Sequence, residues 1–208
     1  MANILSTVIA APPETDLAVV AAMAAQFESY IMRGEVYRTV AVPASADGGG
    51  TGEHRIQSSV GDVLARLHKL TAQSALLTAA QKGTLTEANA QIEEATGRLP
   101  SHYQALMLRE ARARLNSLNW YLDDCSENRR ECRVQYPFEI RNRQRIAEIG
   151  KALDEAGAAA LATQLATIDQ RLRSLLGGGE FVWDAAVEQV YPREEYWYLY
   201  ALPVGPDP

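Results

Sequence analysis

SHYQALMLREARARLNSLNWYLDDCSENRRECRVQYP, residues 101–137, is the stretch on which the fold turns. Tyr103, Met107, Ala111, Leu115, Leu118 and Leu122 recur at intervals of three and four, the spacing that lines one face of an α-helix. Pro100 and the pair Ser101 and Gln104 suit a helix start. The spacing predicts a helix from 101 to about 133, roughly 50 Å long at 1.5 Å per residue. Tyr136-Pro137 is the expected stop, because proline pushes the residue before it out of the helical region.

Helical periodicity extends to both sides. A second long run is predicted over 138–176, with Ile146, Ile149, Leu153, Leu161, Leu165, Ile168, Leu172 and Leu175 as its stripe. Gly157 is expected only to weaken or bend it, and Gly177-Gly178-Gly179 ends it. Two long helices meeting at Pro137 would form a hairpin. Upstream, Leu17, Val20, Ala24, Phe27 and Ile31 predict a helix over 14–33 that stops at Gly34. Val60, Val63, Leu64, Leu67, Leu70 and Leu77 predict another over 60–81, ending towards Gly83. Thr84 with Glu87 reads as a capping box for a short helix at 85–96.

Two segments change period: near the C-terminus Tyr196, Tyr198 and Tyr200 alternate with Trp197 and Leu199, which reads as an extended stretch or an aromatic helical turn, and a clearer alternation comes earlier. In EVYRTVAVP, residues 35–43, Val36, Val40 and Val42 alternate with Tyr37, Thr39 and Ala41, and residues 54–57 are a hairpin mate. The intervening ASADGGGTG, 44–52, reads as a flexible surface loop without the GxxxxGK[ST] order of a phosphate cradle. Ile4 to Ala11 reads as an apolar arm and 204–208 as a frayed tail. The fold class expected is mainly α: an antiparallel helical bundle with long helices and a minor β-hairpin-like element. A single helical domain over 1–208, with an aromatic-rich C-terminal extension at 177–208, is the expected organisation.

Composition agrees and narrows the function classes. The 208 residues are 47% hydrophobic and 22% charged, rich in alanine and with only three Phe, a mixture suited to close-packed helices. A net charge of −6 speaks against a polyanion as the main partner, so nucleic acid is unlikely as a ligand. No uncharged apolar run reaches the length of a membrane span, and no leader is read at the N-terminus. Cys125 and Cys132 lie seven apart on one predicted helix, about 10 Å of rise, too far for a disulfide unless the helix ends between them. They are therefore expected to be free thiols in a cytoplasmic protein.

Chemistry-bearing patterns are sparse. None of His54, His68 and His102 follows a glutamate by three positions, as the helices of a carboxylate-bridged dimetal bundle require. GxSxG, HExxH, CxxC and dinucleotide glycine patterns are absent, and neither cysteine has a histidine nearby in sequence to act as its base. Asp123, Asp124, Cys125 and Glu127 form a polar knot that reads as an exposed, ion-paired helix face. No catalytic residue, metal ligand or cofactor is expected.

Two clusters remain. Trp183, Tyr191, Tyr196, Trp197, Tyr198 and Tyr200 are the expected partner-binding residues, with half of such rings expected to cover the protein's own core. Arg129, Arg130, Arg133, Arg141, Arg143 and Arg145 form a basic stretch able to bind an anion if they face one way. The expected function is a non-catalytic interaction or assembly subunit, a homo-oligomer or a component of a hetero-complex. A small-molecule-binding protein or enzyme with a pocket between helices is the first alternative, and a phosphate or nucleic-acid binder through the arginines is the second.

Overall fold

A computed structural model describes residues 12–43 and 52–205. The chain is mainly helical. Helices α1 (Pro13–Ala24) and α2 (Phe27–Arg33) precede the strands β1 (Arg38–Pro43) and β2 (Glu53–Ser58). Then come α3 (Val60–Ala72), α4 (Ala79–Arg98), α5 (Pro100–Glu127), α6 (Arg129–Glu139), α7 (Arg141–Ala152) and α8 (Glu155–Leu175). Short strands β3 (Leu176–Gly178) and β4 (Ala201–Pro203) bracket a C-terminal segment built on two 3₁₀ turns, Ala185–Val190 and Trp197–Tyr200. The expected arm at 4–11, loop residues 44–51 and tail residues 206–208 lie outside the described residues.

The described residues divide into two compact units, one up to Glu110 and one from Ala111 onward. In the first, α1 packs on α3, α4 and β1. Val19, Val20, Met23, Phe27, Tyr30, Val63 and Leu70 make its core. The expected hairpin is present: β1 pairs antiparallel with β2, from Arg38 opposite Ser58 to Pro43 opposite Glu53, and Val40 and Val42 turn inward. Buried charges in this unit are matched. Asp16 meets Arg66 Nε at 3.1 Å and also Lys69, while Glu110 accepts from Ser59 Oγ at 2.6 Å and from the Gly61 amide at 2.9 Å.

Most of the predicted helices are real but shorter than expected, and the breaks have local causes. Helix 14–33 is interrupted at Gln26, whose backbone leaves the helical region while its side chain donates to Ala22 O and accepts from Arg38. Gly34 ends α2 in the left-handed conformation, as expected. The run expected over 60–81 stops at Ala72. Thr78 and Gln81, rather than Thr84 and Glu87, form the capping box, so Gly83 lies inside α4 instead of ending a helix.

The longest prediction needs the largest correction. Helix α5 ends at Glu127, and Asn128 caps α6 by accepting from the Glu131 amide at 3.2 Å. Tyr136-Pro137 does not end a helix. Pro137 sits inside α6, where Tyr136 is fully buried and donates its hydroxyl to Tyr198 O at 2.6 Å, and Pro137 O accepts from Trp183 Nε1 at 2.8 Å. These tertiary anchors outweigh the local preference. The run 138–176 also breaks, at Leu153, where Asp154 caps α8 by accepting from the Gly157 amide at 2.7 Å. Helix α5, at 28 residues, is the longest described helix.

The turn at Asn128 also changes the cysteine chemistry. Because the helix ends between them, Cys125 and Cys132 form a disulfide, and the expected free thiols are corrected.

Candidate interaction surface

All residues of the two sequence clusters lie in the unit from Ala111 onward, and the structure separates them sharply. The C-terminal rings turn inward. Tyr196 and Tyr198 are fully buried, Trp183 and Tyr191 nearly so, and Trp197 and Tyr200 are half-buried. They form a continuous edge-to-face layer in which Trp183, Tyr191, Tyr196 and Tyr198 follow one another at centroid distances of 5.1 to 6.2 Å. Asp184 helps to set the path of this irregular segment by accepting from the Ala186 amide at 2.8 Å.

The polar tip of Tyr196 is satisfied from the helices below, whereas the buried Tyr198 hydroxyl has no hydrogen-bond partner among the described residues. Tyr196 Oη donates to Glu148 at 2.7 Å and accepts from Lys151 at 2.7 Å, while Gln144 donates a second hydrogen bond to the same carboxylate at 2.9 Å. Burial, reinforced by the Glu148 carboxylate, pushes the Tyr196 hydroxyl far above its ordinary pKa. Burial does the same to Tyr136 and, against the opposing pull of Arg143, to Tyr198. These phenols stay neutral at any physiological pH, which suits packing and hydrogen-bond donation rather than proton transfer.

The six arginines share no face. Arg143 is buried, grips Asp169 with two bonds of 2.7 and 2.9 Å, and lies over the Tyr198 ring. Burial works against its charge, but the Asp169 pair outweighs it and holds the guanidinium above its ordinary pKa. Arg145 is buried and donates to Gln144 at 2.8 Å, and Arg133 donates to Pro203 O at 2.9 Å. Arg141 stacks 3.7 Å from the centroid of Phe138. Arg129 and Arg130 are exposed. A single anion cradle is not what this arrangement builds.

What the structure leaves uncovered is a different set. Trp120 is 70% exposed, and it stands two positions from both Leu118 and Leu122, about 200° round the helix axis from the buried stripe. On its face of α5 lie Asn116, Asp123, Asp124 and Glu127, all exposed, with Asp123 paired to Arg171 at 2.6 Å. Helix α6 and the first residue of α7 show a second such face. Arg130, Val134, Phe138 and Arg141 follow at helical spacing opposite the buried Cys132 and Tyr136, with Val134 54% and Phe138 36% exposed. The disulfide and the bond from Tyr121 Oη to Cys132 O at 2.7 Å fasten the two helices at the Asn128 turn between these faces.

Trp120, Val134 and Phe138 belong to neither of the two sequence clusters. A signal existed: Trp120 falls off the stripe set by Leu115, Leu118 and Leu122, and Val134 falls off the one set by Cys132 and Tyr136.

Elsewhere the described residues offer little chemistry. They contain no group of three or more His, Cys, Asp or Glu able to hold a metal ion. No described helix is long and apolar enough to cross a membrane. An open groove of about 770 Å³ lies beside the α1–α2 break, lined by Phe27, Met32, Arg33, Gln91, Glu94 and Ala95 among others. No protein-family model, no curated protein and no solved structure matches the chain.

Proposed function

We propose that this protein is a non-catalytic interaction or assembly subunit that works through exposed helical faces. The observation that carries the reading is Trp120, an indole held 70% in water on a helix that has a buried stripe for its other apolar side chains. An exposed Trp is a large apolar surface that folding leaves unused, and Trp is among the residues that most often dominate binding energy at protein contacts. Val134 and Phe138 extend the uncovered apolar area on the neighbouring helix.

This moves the proposed partner contact from the C-terminal rings to the α5–α6 turn. Trp197 and Tyr200, half-buried, are left at most a bordering role, while Trp183, Tyr191, Tyr196 and Tyr198 serve the core of their own unit. The proposed location moves as well. A cytoplasmic site rested on free thiols, whereas the Cys125–Cys132 disulfide fits an oxidising compartment.

Native purification from the source, in parallel for the wild-type chain and for Trp120→Ser with Phe138→Ser, tests the reading. It expects a stoichiometric assembly with the wild type that the variant loses while keeping its helical circular dichroism. Wild-type protein recovered as a bare monomer, or an assembly indifferent to both substitutions, would overturn it.

A further inference from the structure

We infer that the two uncovered faces are complementary halves of one contact, and that the occupant of each is a second copy of this chain. The inference rests on the interaction reading above and adds the partner to it.

The two faces match in charge and in shape of chemistry. One presents a single indole rimmed by Asp123, Asp124 and Glu127, and the other presents Val134 and Phe138 flanked by Arg130 and Arg141. The Arg141 guanidinium carbon sits 3.7 Å from the centroid of the Phe138 ring, a cation–aromatic pair that an incoming aromatic ring can extend. Trp120 brings that ring together with carboxylates at the flanking helical positions, Asp124 and Glu127, which reach for Arg130 and Arg141. Arranged about a two-fold axis, the contact occurs twice, each copy giving its indole face and receiving the other's cationic face.

The alternatives fit less well. A polyanion would meet a chain of net charge −6 in which Arg143 and Arg145 are already engaged in the core. A basic partner would satisfy the Trp120 face and leave Val134, Phe138 and Arg130 uncovered. Only an occupant that carries both patterns covers both faces, and this chain carries both. The overall charge of −6 disfavours indiscriminate association between copies, which leaves the local match to select the geometry.

Sedimentation velocity of the full chain over a concentration series tests this, with circular dichroism confirming that each variant is folded. Trp120, Asp124, Glu127 and Arg130 are exposed and Arg141 is half-buried, so folding should be retained. The wild type is expected to dimerise. Trp120→Ser, the acidic-face pair Asp124→Lys with Glu127→Lys, and the basic-face pair Arg130→Glu with Arg141→Glu should each weaken dimerisation by about tenfold or more. Each charge-reversed pair alone sets like charges against each other in both contacts. Mixed together, the two reversed chains become complementary in both, so the mixture should dimerise where neither component does. A wild type that stays monomeric, a dimer untouched by the three variants, or a mixture without rescue each overturns the inference. If a monomeric wild type nevertheless forms a Trp120-dependent assembly in the native purification, the interaction reading stands and only the choice of partner fails.

Discussion

The C-terminal segment and the α5–α6 turn carry the same kinds of side chain and put them to opposite uses. Between Phe181 and Tyr200 the chain is irregular, and its 3₁₀ turns direct successive rings into one edge-to-face layer. On α5 the regular helix allows no such adjustment, and Trp120 is carried to the outside by the same periodicity that buries Leu118 and Leu122. An aromatic-rich stretch without regular structure can therefore be a core element, while one ring on a well-formed amphipathic helix is the exposed one. Abundance of rings is a poor guide to a binding surface, and their phase on the helix is a better one.

The sharpest way to break the contrast is to ionise the buried layer. Burial raises the pKa of Tyr121, Tyr136, Tyr196 and Tyr198, and in the other unit that of Tyr103 to about 12, with Glu110 adding to it. In the unfolded chain a tyrosine ionises near 10. The neutral folded form therefore contributes stability that is fully present below about pH 10 and is lost as the pH climbs towards the folded values. Cooperative alkaline unfolding is expected, with phenolate absorbance and loss of helical circular dichroism rising together. Phenolate appearing across the whole set near pH 10 in a still-folded protein would show that the rings are not buried.

Next in size comes removal of one ring. Tyr198→Ala should destabilise its unit by about 3–5 kcal/mol, the range for emptying a large buried aromatic site. Tyr198→Phe should cost almost nothing, because the hydroxyl is buried with no hydrogen-bond partner among the described residues. Tyr196→Phe should cost about 1–3 kcal/mol, since it takes a donor from the buried Glu148. Chemical denaturation of the three variants checks the ranking, and equal losses for the two Tyr→Phe changes would contradict the hydrogen-bond assignment. Truncation after Leu176 removes the layer altogether and should unfold this unit rather than merely strip a partner site.

The disulfide tests the other side of the comparison. Opening the Cys125–Cys132 link with reductant, or by Cys125→Ser with Cys132→Ser, should cost about 2 kcal/mol for so short a loop. Helix content should change little, since Asn128 still caps α6 and Tyr136 still anchors it. Thiol trapping under denaturing conditions, before and after reduction, reads the bond directly, and two titratable thiols in unreduced protein would remove it.

Fold class was legible because the stripes at three-and-four spacing are physically the buried faces: Leu115, Leu118, Leu122, Ile146, Ile149, Ile168 and Leu172 are all buried. Breaks were harder to place. Asn128 with Glu131, and Thr78 with Gln81, are capping patterns visible in the sequence, but each lies within a longer periodic run, and periodicity alone does not say which cap is used. The fate of Tyr136-Pro137 was not legible at all, because the bonds that hold it helical come from Tyr198 and Trp183, over forty positions away. The arginine stretch misled for a related reason. Within one short stretch Arg143 goes to a carboxylate on α8 and Arg130 to solvent, and nothing local distinguishes them.

The smallest expected effect is the one that bears most on function. Trp120→Ser removes the most exposed large ring among the described residues, and a surface change of this kind should alter stability by less than about 0.5 kcal/mol. The same substitution at Trp183, which is nine-tenths buried and donates to Pro137 O, should cost several times more. Single-tryptophan fluorescence separates the two without any partner. With the other two tryptophans replaced by Phe, Trp120 should emit at long wavelength and be readily quenched by iodide, and Trp183 should emit at shorter wavelength and resist it. If Trp120 resists iodide in dilute protein yet becomes accessible in the charge-reversed variants, it is already covered by a second copy at that dilution. If it resists in every variant, the ring packs within its own unit, and neither the interaction reading nor the contrast between the two aromatic regions can stand.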